Sequence, residues 1–195
     1  MTLSACAAST SLVYNRANCV VFRKTKETWG GLSNMAAGFP LSVLGTRILT
    51  SEALYQACRF PTRPDVQRVI LEEKSPMAAK MKGKPYHSET RPDWDQVRVD
   101  VMRWCLQVKL KQYWRSFGGL LQATGERDIV ENSHKDMFWG AVALHPGTLT
   151  GQNVLGRLLV ELRQEIVAGT RTAATPVDPL LIADFLLLGK PIPVL

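Results

Sequence analysis

DWDQVRVDVMRWCLQVKLKQYWRS, residues 93–116, is the stretch that predicts the longest helix of the chain. Its apolar side chains fall on two sides of that helix: Val97, Val101, Trp104, Cys105 and Val108 on one, and Val99, Met102, Leu106, Leu110 and Tyr113 on the other. A helix that is apolar around most of its circumference is usually the buried centre of a domain. We therefore expect the rest of the chain to pack around this helix.

Shorter elements flank the long helix on both sides. Thr50 or Ser51 can cap a helix that ends before Pro61, and Ser75 followed by Pro76 is a typical start signal for another. Further helices are indicated at residues 66–73 and 152–168, and strands or extended segments at 20–23, 40–49, 129–131 and 137–139. Residues 40–49 favour a hairpin that turns at 44–46. The predicted fold class is α+β and mostly helical, a single domain with a few short strands.

Three parts of the chain differ in composition. Residues 1–12 are mostly small and predict a flexible leader, and residues 13–169 hold the predicted domain. From residue 170 onward, alternating Thr, Pro and Val indicate a linker within a C-terminal extension, residues 170–195. Residues 180–188 favour a short apolar helix that docks either on the domain or on a partner.

The composition and charge of the chain limit the partners, location and bound groups that we expect. The 195 residues carry a formal net charge of +7, which favours an anionic partner such as nucleic acid or a phosphorylated ligand, although solubility alone would also explain it. No apolar run approaches the roughly 18 residues that span a bilayer, and no secretory signal is recognisable. We therefore predict a cytoplasmic protein without a membrane partner. Scattered cysteines and three distant histidines predict neither a metal nor a cofactor.

The first candidate site is a polar stripe on the helix that begins near Ser51. Glu52, Gln56 and Arg59 are spaced i, i+4 and i+7, so they line one face of the helix. An ordinary solvated face has the same spacing. Against that reading, Glu52 lies in the first turn, where the helix dipole favours an ionised carboxylate. Such a group would suit a base or the stabilisation of a cation.

Lys80 and two tryptophans are further candidates. Lys80 lies one turn into a short helix among small and apolar residues, where partial burial could make it a nucleophile, although a lysine with its amine in solvent is the commoner outcome. Trp94 and Trp139 follow polar turns and could stack on a base, or could simply pack in the core. Amide groups in residues 147–153, before the last helix, could bind a phosphate or serve ordinary capping.

In this order and spacing, the segments resemble the NADAR (YbiA-like) family from about Phe22 to Arg163. The residues that carry the resemblance are Gly31-Leu32-Ser33-Asn34, Ser51-Glu52 with Gln56 and Phe60, Ser75-Pro76 with Ala79-Lys80, Arg91 with Asp93-Trp94, Lys109 with Gln112, Leu120-Leu121 with Thr124-Gly125, Glu131, Asp136 with Trp139-Gly140, and Gly151 with Asn153-Leu155-Gly156.

The resemblance implies an N-glycosidase whose chemical pair is Glu52 and Lys80, with Asp136 orienting groups or carrying a proton. It also implies substrate-binding roles for Ser33, Asn34, Gln56, Arg59, Trp94, Trp139, Gly140 and Asn153. Arg59 is expected either to pair with Glu52 or to contact pyrophosphate. Two mechanisms are open: a carboxylate stabilises an oxocarbenium-like state, or Lys80 captures the opened ribose as a Schiff base.

Met35-Ala36 stands where the family usually has an aromatic residue. This departure resembles the branch of the family found beside DarT-type DNA ADP-ribosyltransferase toxins. Membership of that branch implies an antitoxin that removes ADP-ribose from the guanine amino group in DNA, or in RNA. The alternatives are an N-glycosidase acting on phosphorylated riboflavin-pathway intermediates and a non-catalytic module that binds ADP-ribose. The sequence leaves the oligomeric state open.

Overall fold

The computed structural model describes residues 12–195, so the predicted leader lies outside the described residues except for Leu12. The helices are α1 Ser51–Ala57, α2 Pro64–Leu71, α3 Pro76–Lys82, α4 Trp94–Gln112, α5 Ser116–Ala123 and α6 Val154–Val167. Single 3-10 turns lie at Arg16–Asn18 and Gly30–Leu32, and a longer one at Lys84–Glu89. Along residues 12–195, no helix combines the length and the hydropathy that crossing a bilayer requires.

The strands form several small sheets. They are β1 Leu12–Asn15, β2 Cys19–Phe22, β3 Leu41–Val43, β4 Thr46–Ile48, β5 Asp128–Glu131, β6 Val142–His145, β7 Thr148–Gly151, β8 Leu186–Leu187 and β9 Lys190–Pro191. The strands β1, β7 and β6, in that spatial order, form an antiparallel sheet. Strands β2 and β5 pair in parallel, and β3–β4 and β8–β9 are hairpins. The α+β fold class is confirmed.

The long helix α4 is the centre of the molecule, as its sequence predicts. Val101, Cys105 and Val108 on one side and Leu106 and Leu110 on the other are at most 1% exposed. The helices α1 and α6 pack directly against it. Thr50 caps α1 and Ser75 caps α3 through their side chains, as the start signals predicted.

Two sequence expectations about extended structure are wrong or incomplete. Residues 137–139 form a turn and not a strand, because Asp136 Oδ1 accepts hydrogen bonds from the backbone N–H groups of Phe138 (3.1 Å) and Trp139 (2.9 Å). The strands β1, β6 and β7 were not anticipated. The predicted hairpin is present, and Leu44 and Gly45 adopt positive φ at its tip.

A close approach between α6 and β5 fixes the last helix. Asn153 precedes α6, and its side chain accepts from Glu131 N (3.0 Å) and donates to the Ile129 carbonyl oxygen (2.8 Å). A Cβ atom at Gly156 would overlap the carbonyl oxygen of Ile129 and the amide of Asn153. Only glycine therefore permits α6 to lie this close to the strand.

The C-terminal extension is part of the main core. Val177, Phe185, Leu187 and Ile192 are buried in the same hydrophobic cluster as α4. Residues 180–188, predicted to be a helix, instead run into the β8–β9 hairpin. The physical reason is a set of long-range hydrogen bonds: buried Gln67 donates to the Leu186 carbonyl oxygen (3.0 Å) and accepts from Leu188 N. These contacts require an extended backbone.

Replacing Phe185 with alanine tests whether the extension stabilises the whole domain. The Phe185 ring packs edge-on against Trp104 at 4.9 Å between centroids, so its loss should lower the free energy of unfolding by about 2–4 kcal/mol. Urea unfolding measures the change. Leu181→Ala is the control, because Leu181 in the same segment is fully exposed and its loss should cost less than about 0.5 kcal/mol. Equal stability of Phe185→Ala and wild type would contradict this role.

Two glycine-to-alanine changes in helices should have opposite effects. Gly156→Ala should destabilise the protein by about 2–3 kcal/mol, because the added methyl group meets β5 backbone that cannot easily move. Gly119→Ala in α5 should stabilise it by about 0.5–1 kcal/mol, because a Cβ there meets no atom within 4 Å. Thermal unfolding of both variants gives the comparison, and a stable Gly156→Ala would refute the close approach.

Candidate active site

One cavity of about 590 Å³ brings together residues from distant parts of the chain. It opens between α1, α3, the start of α4 and the segment 131–139. Most of the predicted site residues line it: Asn34, Glu52, Gln56, Arg59, Lys80, Trp94, Asp136 and Trp139. Ser33, Gly140 and Asn153 do not line it. A volume of this size is typical of small-molecule binding sites.

Glu52 is buried within the cavity wall, being only 3% exposed. Its carboxylate accepts hydrogen bonds from Gln56 Nε2 (2.8 Å) and from Asn34 Nδ2, and its backbone N–H donates to the Asn34 carbonyl oxygen (2.9 Å). The solvated-face reading of this stripe therefore fails. The dipole-based expectation of a readily ionised group also needs correction: burial raises the pKa of Glu52, and the nearby Lys80 and the two amide donors only partly oppose that rise.

Asn34 is held in place by a loop anchored on α4. Lys109 is fully buried, and its Nζ donates to the carbonyl oxygens of Gly31 (2.7 Å) and Ser33 (3.1 Å). Burial lowers the pKa of Lys109 to about 7, while the two carbonyls and the faces of two phenylalanine rings favour its protonated form. Ser33 acts within this loop, because its Oγ accepts from Met35 N (3.1 Å). The position of Asn34 thus depends on the central helix.

Arg59 does not pair directly with Glu52. Its Nη1 donates to Gln56 Oε1 (3.3 Å), and the same Gln56 donates to Glu52, so the amide links the two charges. The guanidinium lies 5.3 Å from the Trp94 ring centroid, and its Nε is buried with no hydrogen-bond partner among the described residues. Burial lowers the pKa of Arg59. One donor group of Arg59 is therefore free to meet an anion.

Aromatic side chains form one wall of the cavity. Tyr55 lies between Trp94 and Trp139, with ring centroids 5.0 and 5.6 Å away. Phe138 packs edge-on against Trp139, and Arg98 lies 3.9 Å from the Phe138 centroid. Sequence reasoning identified the two tryptophans but not Tyr55, Phe138 or Arg98. The aromatic–cationic combination of Arg98 and Phe138 arises only from the fold.

Lys80 lines the cavity but is exposed to solvent. The sequence-based hypothesis of a partly buried lysine is therefore wrong. The reason is that α3 is short and lies at the surface, where only Ala79 is buried. Lys80 therefore contributes a solvent-exposed cation to the cavity lining.

The residues around the start of α6 have structural roles instead of facing the cavity. The backbone N–H groups of residues 152–155 donate to the carbonyl oxygens of residues 137–140, at 2.6–3.1 Å. They are therefore unavailable to a phosphate, and the predicted phosphate cradle is wrong. Both polar atoms of the Asn153 side chain bind backbone, as described above. A Cβ at Gly140 would lie 2.6 Å from the Glu131 carbonyl oxygen, so Gly140 permits close packing.

Glu131 also lines the cavity. It is one of the residues that carry the family resemblance, but it was not predicted to be a site residue. Burial and, to a smaller extent, the neighbouring carboxylates Glu52 and Asp136 raise the pKa of Glu131 to about 7, against the opposing charge of Lys80. No described residue donates a hydrogen bond to its carboxylate. The sequence signals were its place in the family pattern and its position at the end of a predicted strand.

The cavity lining carries as many acidic as basic side chains. Its lining includes the cations Arg59, Lys80, Arg98 and Lys135, the acids Glu52, Asp95, Glu131 and Asp136, and the histidines His87 and His134. Across residues 12–195, no group of three or more His, Cys, Asp or Glu side chains is arranged to hold a metal ion. The arrangement can bind a phosphorylated ligand and present carboxylates to its reacting bond.

Several known proteins are similar to this chain in sequence. N-glycosidase YbiA of Escherichia coli (strain K12) is 35% identical over 148 residues, which cover 74% of this chain and 86% of that protein. An N-glycosidase of Nostoc punctiforme is 30% identical, covering 75% and 92%. A riboflavin biosynthesis protein of Vibrio vulnificus is 34% identical over 75% of this chain but only 38% of its own length.

Structure and domain comparison agree with the sequence relatives. The NMR structure of Escherichia coli YbiA superposes with a TM-score of 0.65 at 30% identity, covering 80% of this chain and 92% of that one. The NADAR domain matches residues 21–167. This match spans most of the chain and confirms the resemblance drawn from the motifs: the chain belongs to the NADAR domain family.

Proposed function

We propose that this protein is an N-glycosidase, a hydrolase that removes ADP-ribose from the guanine amino group of nucleic acid. The observation that carries the proposal is the buried Glu52 carboxylate, held by Asn34 and Gln56 in a cavity with aromatic and cationic walls. Family membership and the names of the relatives support the glycosidase chemistry. The choice of ADP-ribosylated guanine goes further and rests on the cations of the cavity, on Met35 and on the net charge.

The position of Glu52 suits cleavage of a glycosidic C–N bond. Breaking the bond between ribose C1″ and nitrogen builds positive charge on C1″ and the ring oxygen, as in other glycoside hydrolyses. A carboxylate in a site shielded from water stabilises such charge more strongly than one in solvent. The two amide donors fix the carboxylate before the substrate arrives, so little reorganisation is needed.

The cations of the cavity support a phosphorylated substrate. Arg59 has a buried Nε with no hydrogen-bond partner among the described residues, whereas Arg98 Nε lies 3.6 Å from Asp95 Oδ1 in an ion pair. An unpaired donor such as Arg59 Nε is costly to bury unless a ligand accepts its hydrogen bond. Lys80 and Lys135 add positive charge to the cavity lining. Together these four side chains favour a pyrophosphate or phosphate next to the ribose.

Two features support a guanine in nucleic acid over a smaller base. Met35 lines the cavity where the family usually has an aromatic residue, so the base-binding wall differs from that of the common form. The net charge of +7 suits a polyanion. On this reading we also propose a cytoplasmic antitoxin that is functionally paired with an ADP-ribosyltransferase toxin.

A second candidate substrate is a phosphorylated riboflavin-pathway intermediate. The names of the relatives in Vibrio vulnificus and maize, both riboflavin biosynthesis proteins, favour it. The same carboxylate, aromatic wall and cations would serve this smaller N-glycoside. A non-catalytic ADP-ribose-binding module is the remaining alternative, and the buried Glu52 argues against it because binding alone does not need a buried carboxylate.

Hydrolysis of defined substrates tests the proposal. Wild type should release ADP-ribose from ADP-ribosylated single-stranded DNA, and Glu52→Gln should lose about 10²–10³-fold in kcat because it removes the charge that stabilises the transition state. Chromatography of the released nucleotide gives the rate. Glu126→Gln, a change at an exposed glutamate outside the cavity, is the matched control.

Each other outcome has a defined meaning. Release of ribose 5-phosphate from the riboflavin precursor, with no action on modified DNA, would select the second substrate. Tight ADP-ribose binding without turnover would select the binding module. Equal rates for wild type and Glu52→Gln on any substrate would refute the role of Glu52.

Borohydride trapping separates the two mechanisms. If Lys80 captures the opened ribose as an imine, reduction during turnover should leave a covalent adduct on the peptide that contains Lys80. Mass spectrometry locates it. Lys80→Ala should abolish the adduct, whereas Lys82→Ala, two residues further on the same helix and outside the cavity lining, should retain it. An active enzyme without an adduct would exclude the imine route.

A further inference from the structure

Two carboxylates from separate elements share the cavity, Glu52 buried in its wall and Glu131 partly exposed to it. Glu52 comes from the first turn of α1, and Glu131 comes from the last position of β5. Like charges that interact in a poorly solvated site cannot both remain ionised without a large cost. One of the two groups should therefore hold a proton when the other is charged.

Their hydrogen bonds decide which group holds the proton. Glu52 accepts from two amide N–H donors, and donors stabilise the ionised form of a carboxylate. No described residue donates to the Glu131 carboxylate. At Glu131 the loss of hydration is opposed only by the charge of Lys80, and its pKa rises to about 7. Burial raises the pKa of Glu52 too, but two amide donors and the cations Lys80 and Arg59 all oppose that rise. This difference in partners assigns the negative charge to Glu52 and the proton to Glu131.

We infer that Glu131 is the general acid that protonates the departing nitrogen, an inference that rests on the glycosidase function proposed above. As the C1″–N bond breaks, its electron pair moves to nitrogen, which takes the carboxyl proton of Glu131. Glu52 stabilises the positive charge on the ribose. Water then adds to C1″ and returns one proton to Glu131. The sum is hydrolysis, with both carboxyl groups restored.

The backbone of Glu131 is held on three sides, which fixes the point from which its side chain leaves the strand. The Glu131 N–H donates to Asn153 Oδ1 (3.0 Å), and its carbonyl oxygen accepts from Ala141 N (2.8 Å). Strand β5 pairs with β2 at this residue, opposite Phe22. The absence of a side chain at Gly140 leaves room beside the Glu131 carboxyl. This arrangement explains why Asn153 and Gly140 matter to the site without lining it.

Asp136 is less suited to donate a proton. Its Oδ1 already accepts two backbone N–H groups and so fixes the turn at residues 137–139. The groups that act on Glu131 electrostatically are Glu52 from α1, Lys80 from α3 and Asp136 from the adjoining turn. The other charged or titratable groups of the cavity lining are Arg59, His87, Asp95, Arg98, His134 and Lys135.

Carboxyl ¹³C NMR of the full chain tests the location of the proton without any substrate. With ¹³Cδ-labelled glutamate, we expect one resonance to titrate close to pH 7 and to disappear in Glu131→Gln. Glu131→Asp also removes that resonance and serves for assignment if the glutamine variant does not fold. If the Glu131 resonance titrates below pH 5, the inference is wrong, whatever the substrate proves to be.

The pH dependence of turnover provides the second test. Wild-type kcat/KM should fall as pH rises through the ionisation of Glu131, because only the protonated acid can donate. Glu131→Gln should lose about 10²–10⁴-fold in kcat, with KM changed less than threefold, and should lack this alkaline fall. An active wild type whose Glu131→Gln variant keeps the alkaline fall would overturn the inference. A wild type inactive on every N-glycoside would instead refute the proposed function, while the NMR result would stand separately.

Discussion

The fold buries a carboxylate, Glu52, in the first turn of a helix that has no solvent-facing side, and the surrounding structure has to compensate for that burial. Every residue of α1 is buried, so Glu52 loses its hydration when the chain folds. Such a group must be compensated by hydrogen bonds. Asn34 and Gln56 supply them, and Asn34 is in turn held by a loop that buried Lys109 anchors to α4. Glu52, Gln56, Asn34 and Lys109 therefore form one connected network.

This network explains the electrostatics of the cavity. The interior favours neutral groups, and the pKa values of Glu52 and Glu131 rise while that of Lys109 falls. Perturbed carboxylates in a cavity are characteristic of acid–base sites. The protein tolerates their desolvation because α4 and the surrounding apolar cluster provide the stability. The buried charges of the site therefore depend on the apolar packing around them.

The core extends beyond the part of the chain that defines the family. The NADAR match ends at residue 167, yet Val177, Phe185, Leu187 and Ile192 belong to the central cluster. Gln67 ties the final hairpin to α2 and, through a hydrogen bond to the Ala57 carbonyl oxygen (3.1 Å), to the end of α1. The helix that carries Glu52 is thus supported from the C-terminal segment as well as from α4.

The sequence by itself determined most of the helices, though not α5, together with the β3–β4 hairpin and most of the cavity residues, because capping residues, helical periodicity and ordered motifs act over short distances. It did not determine the exposure of Lys80, the hairpin at the C-terminus or the capping of α6 by residues 137–140. Those depend on which distant groups meet, and so does the environment of each carboxylate. The Gln56 donor of Glu52 follows from the i, i+4 spacing along α1. Tertiary structure alone decided that Asn34 is the second donor while no described residue donates to Glu131, because hydrogen-bond partners far apart in sequence come together only in the folded chain.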